Sequence, residues 1–511
     1  MQQTRRAWAA AATRLGREEA PWQRPARSGI AGGGTSWVDE ASRKPVSQET
    51  LAGIPWAGRS TLAGLFTRVA ACGPRDPTVW RKLVSRADVI AHSFTAKQAA
   101  LVLSALARAQ HRSESFLRRF SVRFAPSLLQ EAELIDLCGI ISSLSQLGAY
   151  SKETFALSAK RAAEAAPQMD ARQISLVANA FVRAGHADRE LFERLLLQVP
   201  RKLRGCTGRD AAVLLNALAQ LPGLLPDELP AASLEPQLEA IALRMPDLLP
   251  TADLHSLTLI LNAFAQLSFM QKDAVDLVVG ELLHGREGLK RMTPRQLAMV
   301  LNAAARLQLY EPRLLDALVM QIRLRAKALD AQSLCVVANA CAKLPALGVE
   351  TFQALYAQVP RHLTRFSGRQ LAMLCHAWGK AHIHNDDLFA LLALPLTQKA
   401  GELTAYEVAL TVYGYAHFRK APPELFGPLM QRFAALLEAE RGAVDDGVLL
   451  MLGNSLGRVG WRDAAVAHAL QDYVAREPSM RNVLPQTVAV FGLGGPREAQ
   501  EEEAAAGPPG A

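Results

Sequence analysis

Residues Thr293 to Tyr310, TPRQLAMVLNAAARLQLY, decide the fold. They read as one amphipathic helix with both end signals in place. Thr293 caps the first turn, Pro294 suits the first helical position, and Leu297, Val300, Leu301, Ala304 and Gln308 share one face at helical spacing. The same helix is written again around Asn179 (LVANAFVRAG), Asn216 (VLLNALAQLP), Asn262 (LILNAFAQLS) and Asn339 (CVVANACAKL). With Asn302 as anchor, equivalent positions fall at Thr67, Ser104, Ser142, Asn179, Asn216, Asn262, Asn302, Asn339, His376, Gly414, Asn454 and Gly492. The successive spacings are 37, 38, 37, 37, 46, 40, 37, 37, 38, 40 and 38 residues. A period sustained in this range marks a solenoid rather than unrelated globular domains. The expected fold is therefore all-α, an α-solenoid of about twelve helix-turn-helix repeats of 37–40 residues.

Each repeat predicts two helices. Helix A carries the anchor and ends near Gly148, Gly185, Pro222, Pro345 or Gly460. Helix B is marked by leucine and aromatic positions, as in LFERLLLQV from Leu191, TFQALYAQV from Thr351 and LFALLALPL from Leu388. Small residues follow the anchor, such as Ala303, Ala180, Ala217, Ala340 and Ala377, so helix A reads as a closely packed inner layer. The 46-residue spacing holds Pro222, Pro226, Pro230 and Pro236, and residues 222–250 read as an insertion within one repeat. A domain boundary at that point is the alternative.

The ends differ from the body. MQQTRRAWAAAATRLGR carries Arg5, Arg6, Arg14 and Arg17 with no acid before Glu18, the composition of a mitochondrial transit peptide, with a plastid one as runner-up. Residues 1–50 are thus assigned to leader and linker, 51–495 to the repeats and 496–511 to a disordered acidic tail. The chain carries a net charge of +9. The first fifty residues hold eight basic and five acidic side chains and the last fifteen one and four, so the repeat body alone accounts for the excess. A basic body favours a polyanionic partner. No apolar run approaches the roughly 18 residues of a membrane span.

Catalytic patterns are missing: there is no GxxxxGK[ST], GxSxG, HExxH or strand-then-GxGxxG unit. The chain is expected not to be an enzyme and to need no cofactor or metal. His376, His382 and His384 lack a second ligand pair, and the six cysteines show no CxxC spacing and read as buried thiols.

The candidate site is a polar stripe on helix A. Positions −7, 0 and +4 relative to the anchor fall within about 40° of one another on the helical wheel. At +4 stand Arg108, Arg183, Arg306, Lys343 and Lys380, with glutamine in other repeats and no acid. Capping of the helix C-terminus competes with ligand binding there. At −7 stand Lys97, Arg172, Arg209, Arg295 and Arg369, two residues beyond the N-cap candidates Thr95, Asp170, Thr207, Thr293 and Ser367. The helix dipole disfavours cations in a first turn, so helix stability does not call for them. A phosphate seat at the helix start is one explanation, pairing with an N-cap aspartate the other. The anchors Asn179, Asn216, Asn262, Asn302 and Asn339 form either a hydrogen-bonded ladder between repeats or a row of contacts to bases or peptide.

The segments RQLAMVLNAAARL from Arg295, RQISLVANAFVRAG from Arg172 and RQLAMLCHAWGKA from Arg369, with the LF pair of helix B, resemble organellar helical-repeat RNA-binding proteins. These are the octotricopeptide and heptatricopeptide families, the FAST-kinase-like proteins without their RAP domain, and the helical-repeat subunits of the kinetoplastid RNA-editing substrate-binding complex. The resemblance runs from about Ser60 to Gly494. It implies a non-catalytic mitochondrial protein that binds RNA, single-stranded or ribosomal. Processing, stability, editing or ribosome assembly would be its setting, beside protein partners in a ribonucleoprotein complex. An armadillo- or HEAT-like scaffold for peptides or proteins is the alternative.

Overall fold

The computed structural model describes residues 48–72, 76–225, 231–284, 288–344, 348–439, 444–463 and 466–470. The basic leader, the repeat around Gly492 and the acidic tail lie outside the described residues. Among the described residues every regular element is helical, and no helix is long and apolar enough to cross a membrane. The chain divides into two compact units at Glu281/Leu282.

In the first unit the A helices are α1 (Arg59–Cys72), α3 (Ala96–Ala109), α6 (Leu134–Leu147), α8 (Ala171–Arg183), α10 (Gly208–Leu224) and α12 (Leu254–Gln266). Each packs on the next in chain order. Between them run the B elements: α2 (Pro77–Ile90), α4 (Glu114–Arg119) joined by a π-helical segment to α5 (Ala125–Glu131), α7 (Lys152–Ala165), α9 (Arg189–Lys202) and α11 (Glu235–Leu243). The proline-rich insertion leaves the A layer intact, because α10 still packs on α12. Pro222 sits within the last turn of α10, and residues 226–230 lie outside the described residues.

In the second unit the A helices are α13 (Pro294–Leu307), α15 (Ala331–Lys343), α17 (Gly368–Lys380), α19 (Ala405–His417) and α21 (Asp446–Val459), again packed in chain order. The B helices are α14 (Pro312–Leu324), α16 (Val349–Tyr356), α18 (Asp386–Gln398) and α20 (Pro423–Ala439). The expected solenoid of helical pairs is thus the observed architecture within each unit.

Local signals explain the helix starts. Eight N-caps, the five named from sequence at Thr95, Asp170, Thr207, Thr293 and Ser367 together with Asp253, Asp330 and Asp445, accept a hydrogen bond from the first turn. Thr404 caps α19 in the same way. Six of these nine caps are full capping boxes, in which Gln98, Gln173, Asp210, Gln296, Gln370 or Glu407 returns a bond to the cap backbone. Such a reciprocal pair satisfies two otherwise orphaned donors. A short 3-10 turn precedes most caps, for example Ala166–Gln168 and Ala400–Glu402, so a repeat holds more than two helices.

The helix ends recur too. The residue six past the anchor is left-handed at Gln110, Gly148, Gly185, Ser268, Gln308, His382 and Gly460. Gln308 therefore ends α13 as an exposed left-handed residue instead of joining its apolar face.

The Thr404 cap corrects one register. In the other capped repeats the anchor lies nine residues past the N-cap, as Asn302 does from Thr293. Counting from Thr404 puts the anchor at Tyr413, not Gly414, and makes Arg419 the left-handed residue six further on. Gly414 instead takes the small position filled elsewhere by Ala303 and Ala377. A Cβ there would meet the carbonyl of Cys375 and come within 2.8 Å of the Cys375 Cβ. Glycine is required at that point because α17 and α19 approach so closely.

The core is what the periodicity predicts. Leu297, Val300, Leu301 and Ala304 are buried, as are the LF pairs Leu191–Phe192, Leu388–Phe389 and Leu425–Phe426. Each such leucine, valine or phenylalanine contributes about 1.5–3 kcal/mol on burial. Cys138, Cys335, Cys341 and Cys375 are buried thiols, and Cys72 and Cys206 are half-buried.

A further brace was not visible from composition. Arg86 Nε donates to the Ala57 carbonyl at 3.0 Å, Arg161 to Ala132 at 3.2 Å, Lys399 to Phe366 at 2.5 Å and Arg432 to Leu403 at 2.9 Å. Arg325 donates to the carbonyls of Leu289, Lys290 and Met292. In each case a cation from the second half of helix B or the residue that ends it reaches the residues leading into helix A of the same repeat. These five charges serve the backbone.

Candidate nucleic-acid interface

The −7 cations lie along the seam between successive A helices. At two uncharged positions the next capping box bonds to the side chain: Gln98 donates to Ser60 Oγ at 3.0 Å, and Gln370 to Gln332 Oε1 at 2.7 Å. Where the position is charged, the neighbouring first turn feels the charge. Desolvation and Glu133 raise the pKa of Asp136, and Lys97 opposes them. Desolvation also disfavours the Asp253 carboxylate, but hydrogen bonds from Ser256, with His255 and Arg209, outweigh it and hold the pKa down. Lys97, Arg172, Arg209 and Arg369 are exposed, and Arg295 is half-buried. The capping boxes already occupy two donors at helix starts that the phosphate-seat reading left open. Asp136, in a first helical turn, feels Lys97, and the N-cap aspartate Asp253 feels Arg209.

The asparagines do not form a ladder. Asn179, Asn216, Asn302 and Asn339 are half-buried and Asn262 is buried, and no hydrogen bond joins one anchor side chain to another among the described residues. The small residues that bring the A helices together lie one position further on, which leaves the anchor amides at the edge of the packed layer.

The +4 row is different. The helix ends close on themselves, as where Gly148 N–H donates to Ser145 and Ala149 N–H to Leu144. In the same way Leu309 N–H donates to Ala304. The terminal carbonyls are thus met by backbone, and Arg108, Arg183, Arg306, Lys343 and Lys380 make no side-chain hydrogen bond or ion pair among the described residues. Favourable placement in the dipole field remains, but direct capping does not account for the row.

In the second unit, with the register taken from Thr404, the row reads Arg306, Lys343, Lys380, His417 and Arg458. No acid interrupts it. The side chains reach water yet are walled by neighbouring helices. Desolvation brings the Arg306 and Lys380 pKa values down. Desolvation, then Lys380 and Arg306, lowers Lys343 to about 8. At the anchor beside them His376 is lowered to about 4 by desolvation, Lys380 and Lys343, so it is neutral at pH 7. His417 is lowered by desolvation, His382 and Arg458. Its Nε2 lies 2.8 Å from His382 Nδ1, and its Nδ1 lies 3.1 Å from an Arg458 nitrogen. Arg306, Lys343 and Lys380 are thus held together without an ion pair among the described residues, an arrangement complementary to a polyanion.

In the first unit the same row carries Arg108 and Arg183 separated by Gln146 and followed by Gln220, all exposed. The cationic density is lower. His417 and Tyr413 escaped sequence reading because the repeat was aligned on Gly414, and the 37-residue step from Ser367 to Thr404 was the signal that would have found them. Among the described residues no three His, Cys, Asp or Glu side chains gather as metal ligands.

A stack of capped helical pairs with an acid-free cationic row on its inner helices defines an all-α helical-repeat protein. The chain belongs to the RNA-editing substrate-binding complex 6 protein family, whose pattern matches residues 48–229 and 250–484. The gap between the two matches falls within the proline-rich insertion. The resemblance drawn from the repeats to helical-repeat subunits of the RNA-editing substrate-binding complex is borne out. No curated protein sequence matches the chain. Among solved structures it is similar to a chain in a homology model of the full-length AP-3 complex in an intermediate open conformation. That likeness has 10% identity and a TM-score of 0.32, covering 88% of this chain and 80% of the other, and carries no argument.

Proposed function

We propose that this chain is a non-catalytic RNA-binding protein that acts in RNA editing or related RNA processing, in mitochondria. The observation that carries the proposal is the acid-free row Arg306, Lys343, Lys380, His417 and Arg458, in which the first three are partly desolvated cations side by side and burial with neighbouring charge disfavours the charged form of His417. Phosphates would supply the missing counter-charge. Nothing along the row resembles a nucleophile with its base, so binding and positioning are the proposed contribution. The family description names an RNA-editing substrate-binding complex, which supports RNA as the ligand and protein partners beside it. The mitochondrial assignment rests on the arginine-rich leader.

The test is RNA affinity measured against salt. Each phosphate contact on a single strand adds about 0.7 to the log–log slope. Charge reversal of Arg306, Lys343 and Lys380 together is expected to flatten the slope by about 2 and weaken binding. An unchanged slope and affinity in that triple variant would rule out this surface. Reversal of Arg172, Arg209 and Arg369 is the matched comparison, expected to have the smaller effect because these side chains lie on the inter-repeat seam.

The reading as a protein scaffold is favoured by one feature of the outer layer. Val122, Leu197, Met320 and Leu394 are all exposed and all lie eighteen residues past their anchors. Such a recurrent apolar position on helix B suits protein partners, leaving the helix A row for RNA.

A further inference from the structure

The anchor row changes character at two consecutive repeats. Elsewhere in the second unit it is asparagine, but at α17 it is His376 and at α19 it is Tyr413. The ring centroids of these two residues are 5.3 Å apart. Tyr413 is followed by His417 at 6.0 Å, and His417 by His382 at 4.5 Å. His376, Tyr413 and His417 are half-buried and His382 is exposed, so the rings form a partly open strip. Two features of the fold assemble it. The missing Cβ at Gly414 lets α17 and α19 close up, and the left-handed backbone of His382, φ 58°, turns its ring onto His417.

These rings are not core aromatics. Two residues on, Tyr415 is 1% exposed and its hydroxyl donates to the Phe389 carbonyl at 2.6 Å. Trp378 is fully buried against Phe352. Tyr413, by contrast, has a hydroxyl with no hydrogen bond among the described residues, and it shares its helix face with the cationic row. Aromatic faces beside unpaired cations are the recurrent platform for unpaired nucleobases, because every base offers a π-face and every phosphate a charge.

We propose that His376 and Tyr413 form a base-stacking site that holds an unpaired nucleotide, with Lys343 and Lys380 on its phosphates. Resting on the RNA-binding reading above, this deepens it: the ligand of the second unit is single-stranded RNA, and its bases turn toward the protein. His376 supports this as a neutral ring at pH 7, free of the hydration shell that an imidazolium would carry.

The test uses the full chain, a single-stranded oligonucleotide containing one 2-aminopurine, and a duplex of equal length. The unmodified chain is expected to quench the 2-aminopurine and to prefer the single strand. His376→Ala combined with Tyr413→Ala should lose the quenching and about tenfold or more of single-strand affinity. Duplex affinity and the salt slope should hold. The ring-retaining pair His376→Phe and Tyr413→Phe should bind and quench as the parent does, and it controls for folding. Equal losses for single strand and duplex, or full quenching by the alanine pair, would overturn the stacking site while leaving RNA binding in place. Failure of the unmodified chain to bind either RNA would overturn both readings.

Discussion

Lys343 shows how a single side chain reports on its surroundings. It lies between Arg306 and Lys380, and desolvation with their repulsion lowers its pKa to about 8. A bound polyanion would reverse the repulsion and draw a proton onto it. The complex would then hold more protons than the free chain, so affinity should fall as pH rises through about 8. His376 stays neutral across that range and does not confuse the measurement. Lys343→Arg, which keeps its charge, is expected to bind RNA with little change between pH 7 and pH 9, roughly two integers bracketing the lysine's transition. Anisotropy titrations at the two pH values check this. Arg295, one of the five first-turn cations that helix stability does not call for, belongs to a seam that the sequence could not reveal. The seam depends on which residue of the next repeat lies opposite, a fact of packing rather than of helical periodicity.

At the scale of the helix, the two ends behave differently under substitution. The left-handed residue six past the anchor is glycine in some repeats and Gln110, Ser268, Gln308 or His382 in others. A non-glycine residue there costs about 1 kcal/mol. Gln308→Gly is therefore expected to raise the melting midpoint, read by thermal denaturation. Gly414→Ala should act in the opposite sense, since its methyl would meet Cys375 with no flexible side chain to yield, at a cost of about 1–3 kcal/mol. Helix existence, the N-caps and the buried faces were legible in the sequence, because periodicity and capping are local. Register was legible at asparagine, serine and histidine anchors and failed where glycine was taken as the anchor. With Gly414 taken as anchor, Tyr413 fell on the wrong face and His417 left the row. The capping glutamines and the helix B braces were overlooked for a similar reason: their partners lie three residues or a whole helical pair away.

At the scale of the molecule, each helix packs chiefly on its sequence neighbours, so stability is a sum of local terms. Gly414→Ala should lower hydrogen-exchange protection in residues 368–459 and leave residues 96–224 as they were, a pattern that exchange mass spectrometry resolves. The charge is also local. A net +9 was read from composition as a property of the repeat body, but five cations are tied to backbone carbonyls and others line the seams between helices. Arg306, Lys343 and Lys380 are set apart because three cations stand on successive helices with no side-chain hydrogen bond or ion pair among the described residues.

Those braces bear on how the chain responds to being pulled. Those at Arg325 and Lys399 tie the end of helix B to the entrance of helix A, so the two points where a repeat joins its neighbours are fastened directly together. Tension applied along the chain passes from linker to linker through the brace and bypasses the helical pair. In the repeat around Asn302 three backbone carbonyls share the hold of Arg325. The hairpin of helices is sheltered until that guanidinium lets go, and a repeat yields as a unit rather than fraying from an end.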